Sequence, residues 1–236
     1  AVLVSNRVFC TSPDAYVAKF KKTRIVPVGI DVEKFKVQSS KFNIEEKKNK
    51  ILFLSRMSPI KRPEILIEAL NLLNEEGIKF EANFYGDPLP KDKKYYESLK
   101  DKIRKCGLRN CVNFYKGVKN SDTIEIYSKH NIFVNLTPSG SMDKTILEAG
   151  LCGCIPVVSN NYFGGIFDDG MVTSGEPKDL KEKLKYWINA DKDEINKMSH
   201  KIIEYTKQNH SLDILMEKLE KEIICPQKYV KNYQLL

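Results

Sequence analysis

From residue 51 onward, short unbroken apolar runs alternate with stretches whose apolar positions recur every three to four residues. Residues 51–55 (ILFLS) read as a buried strand, and 63–73 (PEILIEALNLL), with Pro63 in the first turn, as an amphipathic helix. The strand 79–85 (KFEANFY) comes next, then a helix over 95–108 that closes at Gly107. The alternation continues through strand 111–115 (CVNFY), helix 121–130, strand 131–136 (NIFVNL), helix 144–152 (KTILEAGLC) and strand 155–159 (IPVVS). Two or three helices, over 179–190, 193–208 and 211–224, finish the chain. Elements of these lengths in strict alternation predict an α/β fold, a Rossmann-like, doubly wound and mostly parallel sheet.

Upstream of this block the pattern is different. Strands at 7–11 and 24–28 flank a helix start at Ser12-Pro13-Asp14, a β-α-β pattern with too little chain to build a sheet of its own. Residues 27–31 read as a turn, and the charged stretch to about residue 50 as a linker. The opening elements are therefore expected to be the tail of a preceding domain. Their strand edges would lack partners, and self-association or high mobility of this segment is the expectation.

Composition narrows the picture. With 42% apolar residues over 236 positions the chain can bury a sizeable core, and no apolar run approaches the ~20 residues needed to cross a bilayer. Arg7 breaks the only apolar run near the start, so no secretory leader is expected and the reading is cytoplasmic. Six cysteines are scattered without a repeated pair spacing. No metal site is expected, and Cys152 and Cys154 read as packing residues. His130, His200 and His210 read as surface residues, and Trp187 as core. Lys and Arg outnumber Asp and Glu by 39 to 31, a net charge of +8, which favours a phosphorylated ligand or peripheral contact with an anionic membrane face. Many of these lysines lie in mixed-sign runs that equally suit a solvated surface.

Open parallel sheets bind ligands beyond the carboxyl ends of their strands, so the loops after Leu54, Tyr85, Tyr115, Leu136 and Val158 are the informative ones. Neither Gly-x-Gly-x-x-Gly nor a phosphate-loop signature follows the first strand, which argues against a dinucleotide-dependent dehydrogenase and a phosphate-loop NTPase. Instead Ser55-Arg56 to Lys61-Arg62 places three cations between a strand end and a helix N-terminus, where an anion is favoured. Solvation of a loop is the other reading of the same charges. Thr137 to Lys144 forms a second loop of small residues running into a helix with unsatisfied first N–H groups. One turn into that helix, Glu148 is placed either to accept two ribose hydroxyls or to stand as a helix-surface or ion-paired residue.

At these residues the sequence resembles the retaining glycosyltransferases of family 4, the glycosyl transferases group 1. This large family includes sucrose-phosphate synthases, bacterial mannosyltransferases and capsule glycosyltransferases. Residues 24–31 (RIVPVGID), with Phe35 downstream, look like its interdomain segment, and Arg56 with Lys61 five residues later like its Gly-Arg and Lys signature. Residues 83–87 (NFYGD) match its strand and Gly-Asp turn. The run from Leu147-Glu148-Ala149 to Pro156-Val157-Val158 looks like its Leu-Glu-Ala to Pro-Val-Val block. One departure stands out: Gly140 occupies the position where the family commonly has a first Glu.

The resemblance implies the C-terminal, donor-binding domain of a GT-B fold. Residues 1–37 would complete the acceptor domain and the interdomain segment, 38–205 would form the nucleotide-sugar domain, and 206–236 would supply the crossing helix and tail. The substrate would be a UDP- or GDP-sugar, and the acceptor a glycan or lipid-linked molecule rather than a nucleic acid. The sugar would be transferred with retention and without a required metal or other cofactor. By resemblance Arg56 and Lys61 are the catalytic cations that hold the donor diphosphate, and Glu148 takes the ribose. Gly140, Ser141, Met142, Asp143 and Lys144 lie along phosphate and sugar, with Asp143 or Lys144 replacing the missing Glu contact. Lys116, Gly117 and Val118 lie beside the base. The family's active-site His would lie upstream of Ala1, leaving this chain able to bind donor and nearly inactive in transfer. The same architecture also carries nucleotide-sugar 2-epimerases, and the loss of a carboxylate at Gly140 leaves a non-catalytic nucleotide-binding module as a further alternative.

Overall fold

The computed structural model describes residues 4–39, 47–138, 140, 142–167 and 169–223. Its centre is a five-stranded parallel sheet of β3 (Lys50–Leu54), β4 (Glu81–Tyr85), β5 (Val112–Tyr115), β6 (Ile132–Asn135) and β7 (Ile155–Val158). The strand order is β5-β4-β3-β6-β7, so the chain first builds outward on one side of β3 and then returns to build on the other. This is the predicted doubly wound sheet. Its reversal point lies between β3 and β6, where the loops leaving the two strands diverge and open a crevice.

The sequence explains the layers. β6 and β7 are buried throughout, as continuous apolar strands covered on both faces must be. Phe53, Phe84 and Phe114 share one register line across β3, β4 and β5, and their rings pack at 5.4 and 5.1 Å between centroids. Around the sheet lie α2 (Pro63–Glu75), α3 (Lys93–Lys105), α4 (Thr123–Ser128), α5 (Lys144–Leu151), α6 (Pro177–Asn189), α7 (Lys192–His210) and α8 (Leu212–Ile223). All but α8, which buries none of its residues, cover the sheet or a neighbouring helix with apolar positions; α2, for example, buries Ile65, Leu66, Ile67, Ala69, Leu70 and Leu73. Trp187 is buried on α6 and donates its indole N–H to the Gly170 carbonyl at 2.8 Å.

The first strands, β1 (Val8–Cys10) and β2 (Thr23–Ile25), pair in parallel with each other in a separate two-stranded sheet. Two expectations are corrected here. The helix begun at Ser12-Pro13 does not propagate: Ser12 folds into a turn, its hydroxyl accepting from the Asp14 N–H, and only the 3-10 turn Tyr16–Lys19 follows. The predicted linker, in turn, contains α1 (Val32–Ser39), anchored by Val32 and Phe35 in the core. Its high charge hid two well-spaced apolar anchors. The N-terminal segment is also tied down at long range, since Ile30 donates to the His210 carbonyl at 2.7 Å and accepts from the Leu212 N–H at 3.0 Å. Arg7 and Arg24 meet at Glu222 of α8, at 3.0 and 3.2 Å.

The histidine reading is corrected as well: His200 is exposed, but His130 and His210 are buried. His130 Nδ1–H donates to the Ile126 carbonyl at 2.6 Å, which leaves Nε2 to accept from the Asn83 amide at 3.0 Å. Asn83 in turn accepts from Asn113 at 3.0 Å, so these polar groups are satisfied in a chain across β4 and β5. Cys152 and Cys154 are buried, and Cys154 donates its thiol to the Tyr127 and His130 carbonyls at 3.1 and 3.4 Å.

Burial, above all, lowers the His130 pKa to about 4, and burial followed by Lys218 lowers that of His210 to about 4. Both rings are neutral in the fold and charged only in the unfolded chain between pH 4 and the ordinary value of 6.5. Stability therefore falls as pH drops through that window, by on the order of 3 kcal/mol at most for His130. Urea unfolding at pH 7 and pH 4.5 should show this loss, and His130→Gln should make the profile shallower, leaving the share due to His210. An unchanged profile in the variant would show that His130 is not the titrating group.

Candidate functional site

At the reversal point lies a cleft of about 530 Å³, lined by Leu54, Ser55, Arg56 and Lys61 from the loop after β3. Tyr85, Gly86, Asp87, Pro88 and Leu89 from the loop after β4 also line it, as do Gly117, Val118 and Thr123 after β5 and Asp143 and Thr145 at the start of α5. Four separate loops thus meet around one opening.

The Gly-Asp turn locks three of them together. Gly86 has φ +147°, and a Cβ there would lie 1.9 Å from the Ser55 carbonyl oxygen, so only glycine lets the two loops pass. The next residue spans the gap on both sides: the Asp87 carbonyl accepts from the Met57 N–H at 3.2 Å, and its carboxylate accepts from the Gly117 N–H at 3.0 Å. Tyr85 and Tyr115, one register step past the phenylalanine line, stack at 4.5 Å at the same sheet edge.

Across the cleft, Lys61 Nζ lies 2.9 Å from the Asp143 carboxylate and 3.0 Å from the Thr137 hydroxyl. Asp143 also accepts from the Asn135 amide at 3.1 Å and from the Thr145 hydroxyl at 2.8 Å. Burial is the largest influence on this carboxyl and would raise its pKa. The Lys61 charge and hydrogen bond, with those from Thr145 and Asn135, outweigh burial and hold it below the usual carboxylate range. Arg56, by contrast, is exposed and makes no ion pair among the described residues. The site therefore presents one uncommitted guanidinium and one ammonium already shared with a carboxylate.

Several predicted residues are placed differently from expectation. Arg62, the third cation, leaves the cleft: in a left-handed conformation of φ 55° it precedes α2 and donates to the Gly175 carbonyl at 3.2 Å. The α5 N-terminus is partly capped from within, because the Asp143 side chain accepts from the Thr145 N–H at 3.4 Å and its carbonyl from the Ile146 N–H at 3.2 Å. Lys144 donates to the Gly29 carbonyl at 3.1 Å, in the turn at residues 27–31. Lys116 is exposed and does not line the cleft, whereas its neighbours Gly117 and Val118 do. Met142 buries its side chain in the core. Gly140 has φ +116°, and Ser141 lies outside the described residues. Sequence reasoning missed Asp87, Tyr85 and Thr145 as cleft residues, although each stands at a strand end or helix start.

Glu148 does not line the cleft. It stands three residues after Thr145, which does, and so lies on the same face of α5 one turn deeper. It is 7% exposed, with the Tyr127 hydroxyl 3.5 Å away, which sets aside the helix-surface reading. Burial, aided by Asp143, raises its pKa against the opposing pull of Lys144, Lys34 and Tyr127.

A family model described as glycosyl transferases group 1 matches residues 34–209. The D-inositol 3-phosphate glycosyltransferase of Kineococcus radiotolerans is 25% identical over 170 residues, which cover 66% of this chain and 39% of that protein. Among solved structures, HepE from Anabaena in complex with UDP-glucose matches with a TM-score of 0.81 at 19% identity, covering 94% of this chain and 64% of that one. Sucrose-phosphate synthase from Thermosynechococcus elongatus matches with a TM-score of 0.75 at 18% identity, covering 94% and 59%. The chain thus spans about two fifths of the length of the curated relative and under two thirds of these solved chains. The structural neighbours are GT-B glycosyltransferases, and at this identity their likeness bears on the fold.

A raised carboxyl pKa means that the ionised form of Glu148 costs folding free energy. The cost is absent below the unfolded value of 4.5 and present in full above the folded one. Glu148→Gln should therefore raise the urea midpoint at pH 7.5 and leave it unchanged near pH 4. A loss of stability at pH 7.5 would mean that the charge is compensated in the fold.

Proposed function

The chain belongs to the glycosyl transferases group 1 family, and from that premise we propose that it is the donor-binding half of a retaining glycosyltransferase that uses a nucleotide diphosphate sugar. The observation that carries this reading is the convergence of Arg56, Lys61 and the α5 N-terminus on one open cleft at the reversal point of the sheet. A diphosphate fits that arrangement chemically. Arg56 offers a planar fork to two phosphate oxygens, and Lys61 a point charge that can turn from Asp143 to the ligand. As the bond from sugar to phosphate breaks, negative charge grows on the leaving diphosphate, and these fixed cations stabilise it more than they stabilise the ground state. This supplies the leaving-group assistance without calling on a metal.

The base would lie against Gly117 and Val118, held in place by Asp87. The ribose would face α5, with Thr145 at the cleft wall and Glu148 one turn below. HepE was solved with UDP-glucose, which makes UDP the first nucleotide to test, with GDP beside it. The acceptor half and its acid-base residues would come from further sequence of the N-terminal domain, to which residues 1–37 contribute. No described helix is long and apolar enough to cross a membrane; a cytoplasmic enzyme in peripheral contact with the membrane is the proposed setting.

Arg56 gives the cleaner test of the phosphate site, because removing it orphans no partner among the described residues. Arg56→Ala should weaken UDP or GDP binding by about tenfold or more in calorimetry, as expected for a lost charge-assisted contact, with little change in thermal stability. Lys61→Ala should weaken binding and also lower stability, because Asp143 loses its counter-charge. Unchanged affinity for both nucleotides in the double variant would remove the phosphate site. A separate comparison isolates the ribose: Glu148→Gln should weaken UDP more than pyrophosphate, and equal losses would assign Glu148 to loop organisation instead.

A further inference from the structure

We propose that Asn135, at the end of β6, is the positioning residue of the phosphate site: it holds the Asp143 carboxylate while Lys61 passes from Asp143 to the donor diphosphate. This rests on the donor reading above. Asn135 is 4% exposed and does not line the cleft, yet its bonds lead to the cleft on two sides. Its amide nitrogen donates to the Asp143 carboxylate at 3.1 Å and, at 3.4 Å, to the Thr145 hydroxyl. Its carbonyl oxygen accepts from the Thr137 N–H at 3.0 Å. Thr137 and Asp143 in turn both accept from Lys61 Nζ. These partners fix the orientation of the amide, since a flipped one would set its oxygen against a carboxylate and its NH2 against an N–H.

Packing alone does not call for such a residue. The rest of β6 is Ile132, Phe133 and Val134, all buried, and a primary amide beside them costs free energy unless its polar atoms are bonded. What the amide serves becomes clear when a ligand takes Lys61. Asp143 has one charged partner, Lys61, and two neutral ones, Asn135 and the Thr145 hydroxyl, which Asn135 also backs. A diphosphate that draws Lys61 away removes the charged partner from a carboxylate whose side chain is only 20% exposed. Burial then favours protonation of Asp143, and the neutral donors are what oppose it. The other groups around it do not replace the lost charge. Glu148 is of the same sign, and the Tyr127 phenol of α4 is kept neutral by burial. Lys144 is bonded to the Gly29 carbonyl, Lys34 of α1 to Asn120, and Arg56 is turned to the ligand in this reading.

The test is calorimetry of UDP and GDP binding to the full chain between pH 5.5 and pH 8, for the parent, Asn135→Ser, Asp143→Asn and the double variant. The parent should bind at least one of the two nucleotides. At pH 8 Asn135→Ser should weaken that nucleotide by about tenfold. The loss should shrink toward pH 5.5, because a proton taken up by Asp143 on binding then offsets the missing amide. In the Asp143→Asn background the same change should alter affinity by less than about twofold, since no carboxylate remains to be held. Asn135→Asp, which matches the parent in shape and keeps the bond from Thr137, should show the pH trend more steeply, and it carries the comparison should Asn135→Ser not fold. A loss equal at every pH, or one that persists in the Asp143→Asn background, would make Asn135 a residue that only shapes the loop. Unchanged affinity in both Asn135 variants would remove it from the site, and each of these outcomes overturns the proposal. If the parent binds neither nucleotide, the donor reading itself fails, a result distinct from the others.

Discussion

Asp143 carries a charge in a place where water reaches only a fifth of its side chain, and an ion so placed needs partners on every side. It finds Lys61 across the crevice, Asn135 at the end of β6, and Thr145 in the first turn of α5. One carboxylate thereby fixes the relative positions of two loops and a helix start. The arrangement also sets the electrostatic character of the crevice. Lys61 is oriented before any ligand arrives, so little side-chain entropy remains to be lost, but part of its charge is already spent on Asp143. Arg56 is left as the group whose charge is wholly available to an incoming anion.

The opposite wall depends on the backbone geometry of Gly86 and on the bonds of Asp87. Gly86 lets the loop after β4 run against Ser55, and Asp87 then bonds to loops on both sides. The two walls share no side chain, and a ligand lying between them would touch both. Beneath both, β3 and β6 are bonded neighbours in mid-strand, and above them the Lys61–Asp143 pair ties their loops together.

Much of this was legible from residue order. Short unbroken apolar runs gave the five central strands and period-3.6 patterns the helices between them, because a strand covered by helices is apolar throughout while a covering helix buries one stripe. The loops at the carboxyl ends then followed from parallel topology. Arg56 and Lys61 stood out as cations before a helix. What stayed hidden depended on contacts across long sequence distance. Nothing near Arg62 shows that its guanidinium reaches Gly175, and nothing near Lys144 points to Gly29. His130 and His210 read as surface residues because a polar side chain at a helix end normally is one, yet Asn83 and Tyr205 supply them with partners in the interior. The helix Val32–Ser39 was lost because its charged residues outnumber the apolar anchors Val32 and Phe35.

The pairing of the chain's first and last described elements bears on how the molecule assembles. Arg7 and Glu222 are 215 residues apart, and Ile30 is held between His210 and Leu212. The central sheet, whose strands lie close in sequence, can close at small loop-entropy cost, whereas joining Arg7 to Glu222 closes a loop of 215 residues and carries the larger entropic cost. The contacts of residues 7–30 with the last two described helices are therefore the part of the molecule expected to form last and to open first.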